Sequence, residues 1–386
     1  MATGPTHARP APYAAPSAGD PRSTRHRVHI AFLAGRDLAS PHAGGSELLV
    51  DRLASGLVDR GYRASLLCGG PVGSDRPYQV IRNGGAYSQF LSAPVAARRR
   101  LRDCDLLVEV CNGLPYLAPL WLRGTPSVCL VNHVHSELWP IRYPQPIAAA
   151  GRYAEAVLMP RAHRGNLFVA VSPSTALALT DLGVIPDRIR VITNGVEDAS
   201  AITPEATDPL FLALGRLADY KRIDVLLRLW ERVRPVTGGT LVIAGDGPER
   251  ARLERLAGPG VRFTGRVTES RKHQLLCDAW LLLHPARVEG WGLVITEAAI
   301  RRTPAVGFDV PGLRDSVAHG HTGLLTATEG GFASAWASLA LNPRRRNAMG
   351  HAARRRALDQ QWTETVDRFT GVVAEALHRA PSGCPA

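Results

Sequence analysis

The sequence predicts an α/β protein made of two doubly wound domains. Three observations predict it: short apolar, β-branched runs alternate with amphipathic stretches, 386 residues exceed one ordinary core, and a turn-rich stretch without apolar period divides the chain. In the first half the strand candidates are Val28 to Ala34, Arg63 to Cys68, Asp105 to Val110, Ser127 to Asn132, Leu167 to Val171 and Ile189 to Thr193. In the second half they are Leu210 to Gly215, Thr240 to Ala244, Val261 to Thr264, Trp280 to His284 and Pro304 to Phe308. Residues Asn194 to Pro209, NGVEDASAITPEATDP, contain turn residues and two prolines, and the domain linker is placed there. This gives an N-terminal domain over 28–200 and a C-terminal domain over 201–362. From Glu364 to His378 apolar residues (Val366, Phe369, Val372, Val373, Ala376) recur at helical spacing, so 363–386 is read as a helix packing on a domain surface, then a tail.

Composition bounds the function. Residues 1–27 are rich in Pro, Ala, Ser and Arg and lack an apolar h-region, so a disordered tail is expected there rather than a signal peptide. No apolar run approaches the roughly 20 residues of a membrane span. The six cysteines show no CxxC spacing, which fits a reduced, cytoplasmic compartment and no structural zinc. The formal charge of +12 invites a nucleic-acid reading. The arginine runs 98–100, 344–346 and 354–356 have no interleaved aromatics, however, and read as solvated helix faces, so no nucleic-acid partner is expected. A basic surface would still attract acidic partners, which keeps a peripheral contact at the inner membrane face among the expectations. Only Lys221 and Lys272 of the 46 basic residues are lysine, so each deserves scrutiny.

Three segments carry candidate chemistry. After the first strand, PHAGGSELLVDRLASGLVDRGY places Gly44 and Gly45 at the start of a helix closed by Gly61. Exposed N–H groups and the helix dipole there suit an anion; the competing interpretation is a simple tight turn. In the second half, FLALGRLADYKRID puts Arg216 at a strand end and Lys221 before a helix, at the carboxyl edge of the sheet where open α/β domains bind ligands. Two cations there would neutralise a diphosphate as it leaves. Third, LHPARVEGWGLVITEAAIRRTPAVG has Glu289 and Glu297 eight residues apart. One continuous helix would set them roughly 80° apart, so the glycines at 290 and 292 instead put Glu289 in a loop and Glu297 early in the next helix. The start of that helix, Gly292 and Leu293, would face phosphates. In the first half, VCLVNHVHSELWP places His133 and His135 just past a strand, and either could face a reacting group or be structural.

Other patterns carry less. Asp103 and Asp105 form a DxD, but they directly precede a strand and read as the end of a surface loop. GDGPE at 245–249 is no dinucleotide fingerprint, and neither a GxSxG elbow nor a Walker lysine motif is present.

Taken together, AGGSE, NGLPYLAPL, NHVHSELWP, VSPST, ITNGV, GRLADYKRID, AGDGP, RVEGWGLVITEA and DVPGLRDSV with HGHTGLL resemble the retaining family-four glycosyltransferases, in the bacterial branch with a GGxE opening. The segments span about residues 28 to 326 in the family's order. The resemblance implies the GT-B architecture, two Rossmann-like domains facing across a cleft, with a nucleotide diphosphate sugar as co-substrate and neither metal nor other cofactor. It implies that Arg216 and Lys221 bind the diphosphate, Glu289 the donor sugar and Glu297 the ribose. Gly45 and its neighbour Gly44 would touch the phosphate from the opposite domain. His133 fits the family's catalytic histidine, with His135 the nearby alternative. The branch often shows two adjacent histidines where this chain has Asn132 and His133, and Cys-Gly where it has Arg301 and Arg302.

The expectation is therefore transfer of a hexose, with retention, from a UDP- or GDP-sugar to an acceptor hydroxyl on a lipid, a glycan or a small natural product. Two alternatives are a same-fold epimerase or hydrolase without acceptor, and a non-catalytic basic surface-binding protein.

Overall fold

The computed structural model describes residues 27–70, 75–85, 88–198 and 202–379. The expected N-terminal tail lies outside the described residues except for Arg27, as does the tail expected after the last helix. Among the described residues no helix is long and apolar enough to cross a membrane.

Two parallel sheets organise the chain. The first contains β1 (His29–Leu33), β2 (Arg63–Cys68), β3 (Gln79–Arg82), β4 (Leu106–Cys111), β5 (Ser127–Val131), β6 (Leu167–Ala170) and β7 (Ile189–Val191), in the order β3-β2-β1-β4-β5-β6-β7. The second contains β8 (Leu210–Leu214), β9 (Thr240–Ala244), β10 (Val261–Gly265), β11 (Leu281–His284), β12 (Ala305–Phe308) and β13 (Gly323–Thr326), in the order β10-β9-β8-β11-β12-β13. Central strands such as HIAFL and LLLH are buried at every position, because helices cover both faces of a parallel sheet. β3 and β13 are not among the strands the sequence predicts. Both are four-residue edge strands; β3 buries only Ile81 fully and β13 opens on a glycine, so neither stands out as an apolar run.

Strand order reverses between β1 and β4 in one sheet and between β8 and β11 in the other. A crevice opens at the carboxyl ends of strands at such a point. The loops after β1, β8 and β11 are those that carry Gly44 and Gly45, Arg216 and Lys221, and Glu289.

The helix Trp362–Arg379 leaves the second sheet and returns to the first. Val366, Phe369, Val372, Val373 and Ala376 are all buried in the first domain's core, with the Phe369 ring 6.1 Å from Phe32. Gly56 makes room for it, since a Cβ there would sit 2.6 Å from Val366 Cγ1. Beside this crossing the Val196 N–H donates to the Gln360 carbonyl at 2.8 Å, and the Thr365 hydroxyl donates to the Thr193 carbonyl at 2.9 Å. The described cysteines are free and buried.

Candidate active site

On the second domain a short 3₁₀ turn, Asp219–Lys221, follows β8, and the loop after β11 runs from His284 to Gly292. Gly292 has φ +81°, a left-handed conformation that favours glycine, and it starts the helix Leu293–Ala299. These two loops meet at Glu289. One carboxylate oxygen, Oε2, accepts from Lys221 Nζ at 2.5 Å and from His284 Nε2 at 2.9 Å. Burial alone would push the Glu289 carboxyl up, but the Lys221 ammonium and the His284 hydrogen bond outweigh it and hold it well below the usual carboxylate range. Burial likewise works against the Lys221 charge, and Glu289 more than offsets it, so the ammonium is stabilised. Because a carboxylate only accepts, His284 donates from Nε2 and stays neutral, consistent with burial and Lys221 depressing its pKa.

The first domain supplies the opposing wall. The helix Gly45–Asp59 begins at Gly44, whose N–H donates to Glu47 Oε2 at 2.7 Å, while Glu47 Oε1 accepts from Arg36 Nε at 2.7 Å. A Cβ on Gly45 would come within 2.8 Å of Leu293 Cδ1, so the starts of one helix from each domain meet here. A Cβ on Gly290 would lie 2.2 Å from the Asn132 carbonyl oxygen, so the Glu289 loop presses against the end of β5. Trp291 is buried in the first domain's core cluster, which anchors that loop across the cleft.

Cations converge on this space. Arg216 has its pKa lowered first by burial and then by the nearby Arg36 and Arg142 guanidiniums of the first domain. Arg142 and Lys221 flank the Tyr220 ring at 5.1 and 5.6 Å from its centroid. Among the described residues these cations outnumber the carboxylates that pair with them here, Glu47 and Glu289, and such a cluster is a ready site for a polyanion. Arg36 and Arg142 were not singled out from sequence. The signal for Arg36 was present, since AFLAGR and FLALGR put Arg36 and Arg216 at equivalent points after the first strand of each domain.

His133 and His135, just past the end of β5, stack with ring centroids 4.0 Å apart. His133 is the member near the other groups: the charges of Glu289, Lys221 and Arg142 act on it, and its buried Nε2 has no hydrogen-bond partner among the described residues. His135 sits behind it, with its backbone N–H donating to Glu155 Oε1 at 2.7 Å and its Nδ1 to the His133 carbonyl at 3.2 Å. Burial and then the His135 ring push the His133 pKa well below its ordinary 6.5. Below about pH 6.5 the unfolded chain therefore binds a proton that folded His133 refuses, and stability falls as pH drops. The melting temperature should decline between about pH 7 and pH 5, and His133→Asn should flatten that decline. An identical slope in the variant would show that His133 is not held neutral.

Glu297 lies on the helix Leu293–Ala299, four residues after Leu293 and so on the same face, and its Oε1 accepts from Lys272 Nζ at 2.7 Å. Lys272 also pairs with Glu269 at 2.7 Å. Thus Glu289, Lys221, Arg216, His133, Gly45 and Leu293 gather at one crevice, with Glu297 one helical turn further along. Asp103 and Asp105 are elsewhere, at the amino edge of the first sheet, where Asp103 pairs with Arg63 and Asp105 accepts from the His29 N–H at 2.7 Å.

Two family models match consecutive parts of the chain: Glycosyltransferase Family 4 over residues 43–200, and Glycosyl transferases group 1 over residues 197–356. A GDP-mannose-dependent alpha-(1-6)-phosphatidylinositol monomannoside mannosyltransferase of Mycolicibacterium smegmatis is 31% identical over 320 residues, 74% of this chain and 81% of that one. The chain belongs to glycosyltransferase family 4. A glycogen synthase of Mycobacterium tuberculosis is 32% identical over 205 residues, which span 50% of this chain and about half, 49%, of that relative. Among solved structures, Anabaena HepE in complex with UDP and glucose superposes with a TM-score of 0.73 at 18% identity, covering 90% of this chain and all (100%) of that one. The likeness gives the fold, GT-B, as expected from the sequence motifs.

Proposed function

We propose that this glycosyltransferase moves a hexose from UDP or GDP to an acceptor hydroxyl with retention, and that it does so without a metal ion. The observation that carries the reading is the cluster of Arg216, Lys221, Arg36 and Arg142 at the crevice beside Glu289. These fixed cations, with the start of the Leu293–Ala299 helix and the facing Gly45, would bind a diphosphate and take up the charge that develops on it as the sugar leaves. That is the electrostatic task a divalent cation performs in metal-dependent enzymes.

Glu289 holds the sugar rather than attacking it. Its Oε2 is shared by an ammonium and an imidazole N–H, which lowers its basicity, and Oε1 remains to accept from a sugar hydroxyl. His133 Nε2, buried and unpartnered, is suited to a hydrogen bond with the reacting sugar. With Glu289 in that holding role, the acceptor hydroxyl would attack from the side the phosphate leaves, and a leaving phosphate oxygen would take its proton. Glu297 would hold the ribose.

A lipid-borne acceptor at the inner membrane face of a cytoplasmic enzyme fits one surface feature. On the helix Ser88–Arg100, Leu91 and Val95 are 87% and 52% exposed, and exposed Arg98 and Arg99 continue the same face, with exposed Arg102 just past the helix end. An apolar strip edged by arginines suits an anionic lipid surface. Product analysis with UDP- and GDP-sugars, against soluble acceptors and acceptors displayed on anionic vesicles, tests the whole reading. An α-linked product from an α-linked donor in the presence of EDTA is expected, with faster transfer on vesicles at low salt. A β-linked product, or a donor that is merely epimerised or hydrolysed, would overturn it.

A further inference from the structure

Arginine is this chain's ordinary cation; it touches one glutamate oxygen in several pairs, as Arg36 on Glu47 and Arg250 on Glu254, but its planar fork can also close on both. Arg190 donates to Glu375 through Nε at 3.0 Å and through a terminal nitrogen at 2.6 Å, one bond to each oxygen. Arg346 does the same to Glu205, at 3.1 and 2.7 Å. Such pairs consume both carboxylate oxygens. The two lysines have no such fork. Lys221 touches only Oε2 of Glu289 and Lys272 only Oε1 of Glu297. Both glutamates belong to the segment that lines the crevice, and each keeps its other oxygen without a hydrogen-bond or ion-pair partner among the described residues.

We infer that Lys272 is a positioning residue for Glu297, its ammonium serving as a one-oxygen clamp that has no fork to close on the second oxygen. It fixes the carboxylate through Oε1 and leaves Oε2 to accept from a ribose hydroxyl of the nucleotide. This rests on the donor reading above. Glu269 completes the arrangement by holding Lys272 from the other side at 2.7 Å, and Arg301 fixes the helix backbone by donating to the Glu297 carbonyl at 2.7 Å. Burial opposes the Lys272 charge, but Glu297 and Glu269 outweigh it, so the ammonium persists through the working pH range. An arginine at 272 would be no conservative change, since its fork would take the oxygen meant for the ligand.

Equilibrium binding of UDP and GDP, and of their 2′,3′-dideoxy counterparts, tests the inference on the intact protein. Lys272→Arg and Lys272→Met should each weaken the better ribonucleotide about tenfold and leave its dideoxy counterpart within about twofold of native. Glu297→Gln should reproduce the loss, and combining it with Lys272→Met should add little. Native affinity for the ribonucleotide in Lys272→Arg, or an equal loss for the dideoxy compound, would overturn the role of Lys272. If Glu297→Gln binds as native while the Lys272 variants do not, the ribose assignment fails. If native protein binds neither nucleotide, the donor reading itself falls.

Discussion

Replacing Lys221 with alanine should nearly abolish sugar transfer, lowering kcat/KM by about a hundred- to a thousandfold. Two losses combine in this one change. The ammonium that would stabilise the departing diphosphate disappears, and so does the countercharge that keeps Glu289 ionised against the cost of burial. Glu289 would then rise toward its ordinary range and be less firmly held as an ionised acceptor. Lys221→Arg should rescue poorly, because a fork on Glu289 would occupy the oxygen left for the sugar. Steady-state kinetics, with circular dichroism to confirm folding, measures this. Transfer by Lys221→Ala within about threefold of native would remove Lys221 from the site.

The second large effect is expected from a single methyl group. In Gly290→Ala the new Cβ would stand 2.2 Å from the Asn132 carbonyl oxygen, which also accepts from the Thr175 hydroxyl at 3.2 Å and is not free to swing away. Retreat in the other direction is closed by Gly312, whose own Cβ position is 2.2 Å from the Glu289 carbonyl oxygen and 2.7 Å from the Gly290 carbonyl carbon. The loop or the domains must therefore shift by close to an ångström, and displacement of that size typically costs about a hundredfold in turnover. Nucleotide affinity should change far less, since Arg216 and Glu297 lie on the second domain away from this contact. A variant with native kcat would mean that the closed contact between Gly290 and Asn132 is not the working geometry.

What the sequence disclosed follows from what each feature depends on. Central strands were legible because burial on both faces forces continuous apolar runs, as in HIAFL and LVIA, whereas β3 and β13 lie at sheet edges where that demand lapses. Glu289 in a loop and Glu297 early in a helix could be read from two glycines, since Gly292 takes the positive φ that sets off the helix. The partners of those carboxylates could not be read the same way. His284 is five residues from Glu289 but reaches it only through the bend of the loop, and Lys272 is 25 residues from Glu297 on another helix. Arg142 comes to Arg216 from the other domain. The rarity of lysine was the one linear clue, and it pointed to Lys221 and Lys272 alike, although only Lys221 was placed in the site from sequence.

The central claim is that fixed cations in this crevice hold a nucleotide diphosphate without help from a metal. Calorimetric titration of UDP, GDP and the matching monophosphates in EDTA, repeated with Arg216→Ala, addresses it most directly. The diphosphate of one base should bind at least about tenfold more tightly than its monophosphate, and Arg216→Ala should erase that difference. Equal affinity for mono- and diphosphate, or binding that appears only when magnesium or manganese is restored, would contradict it.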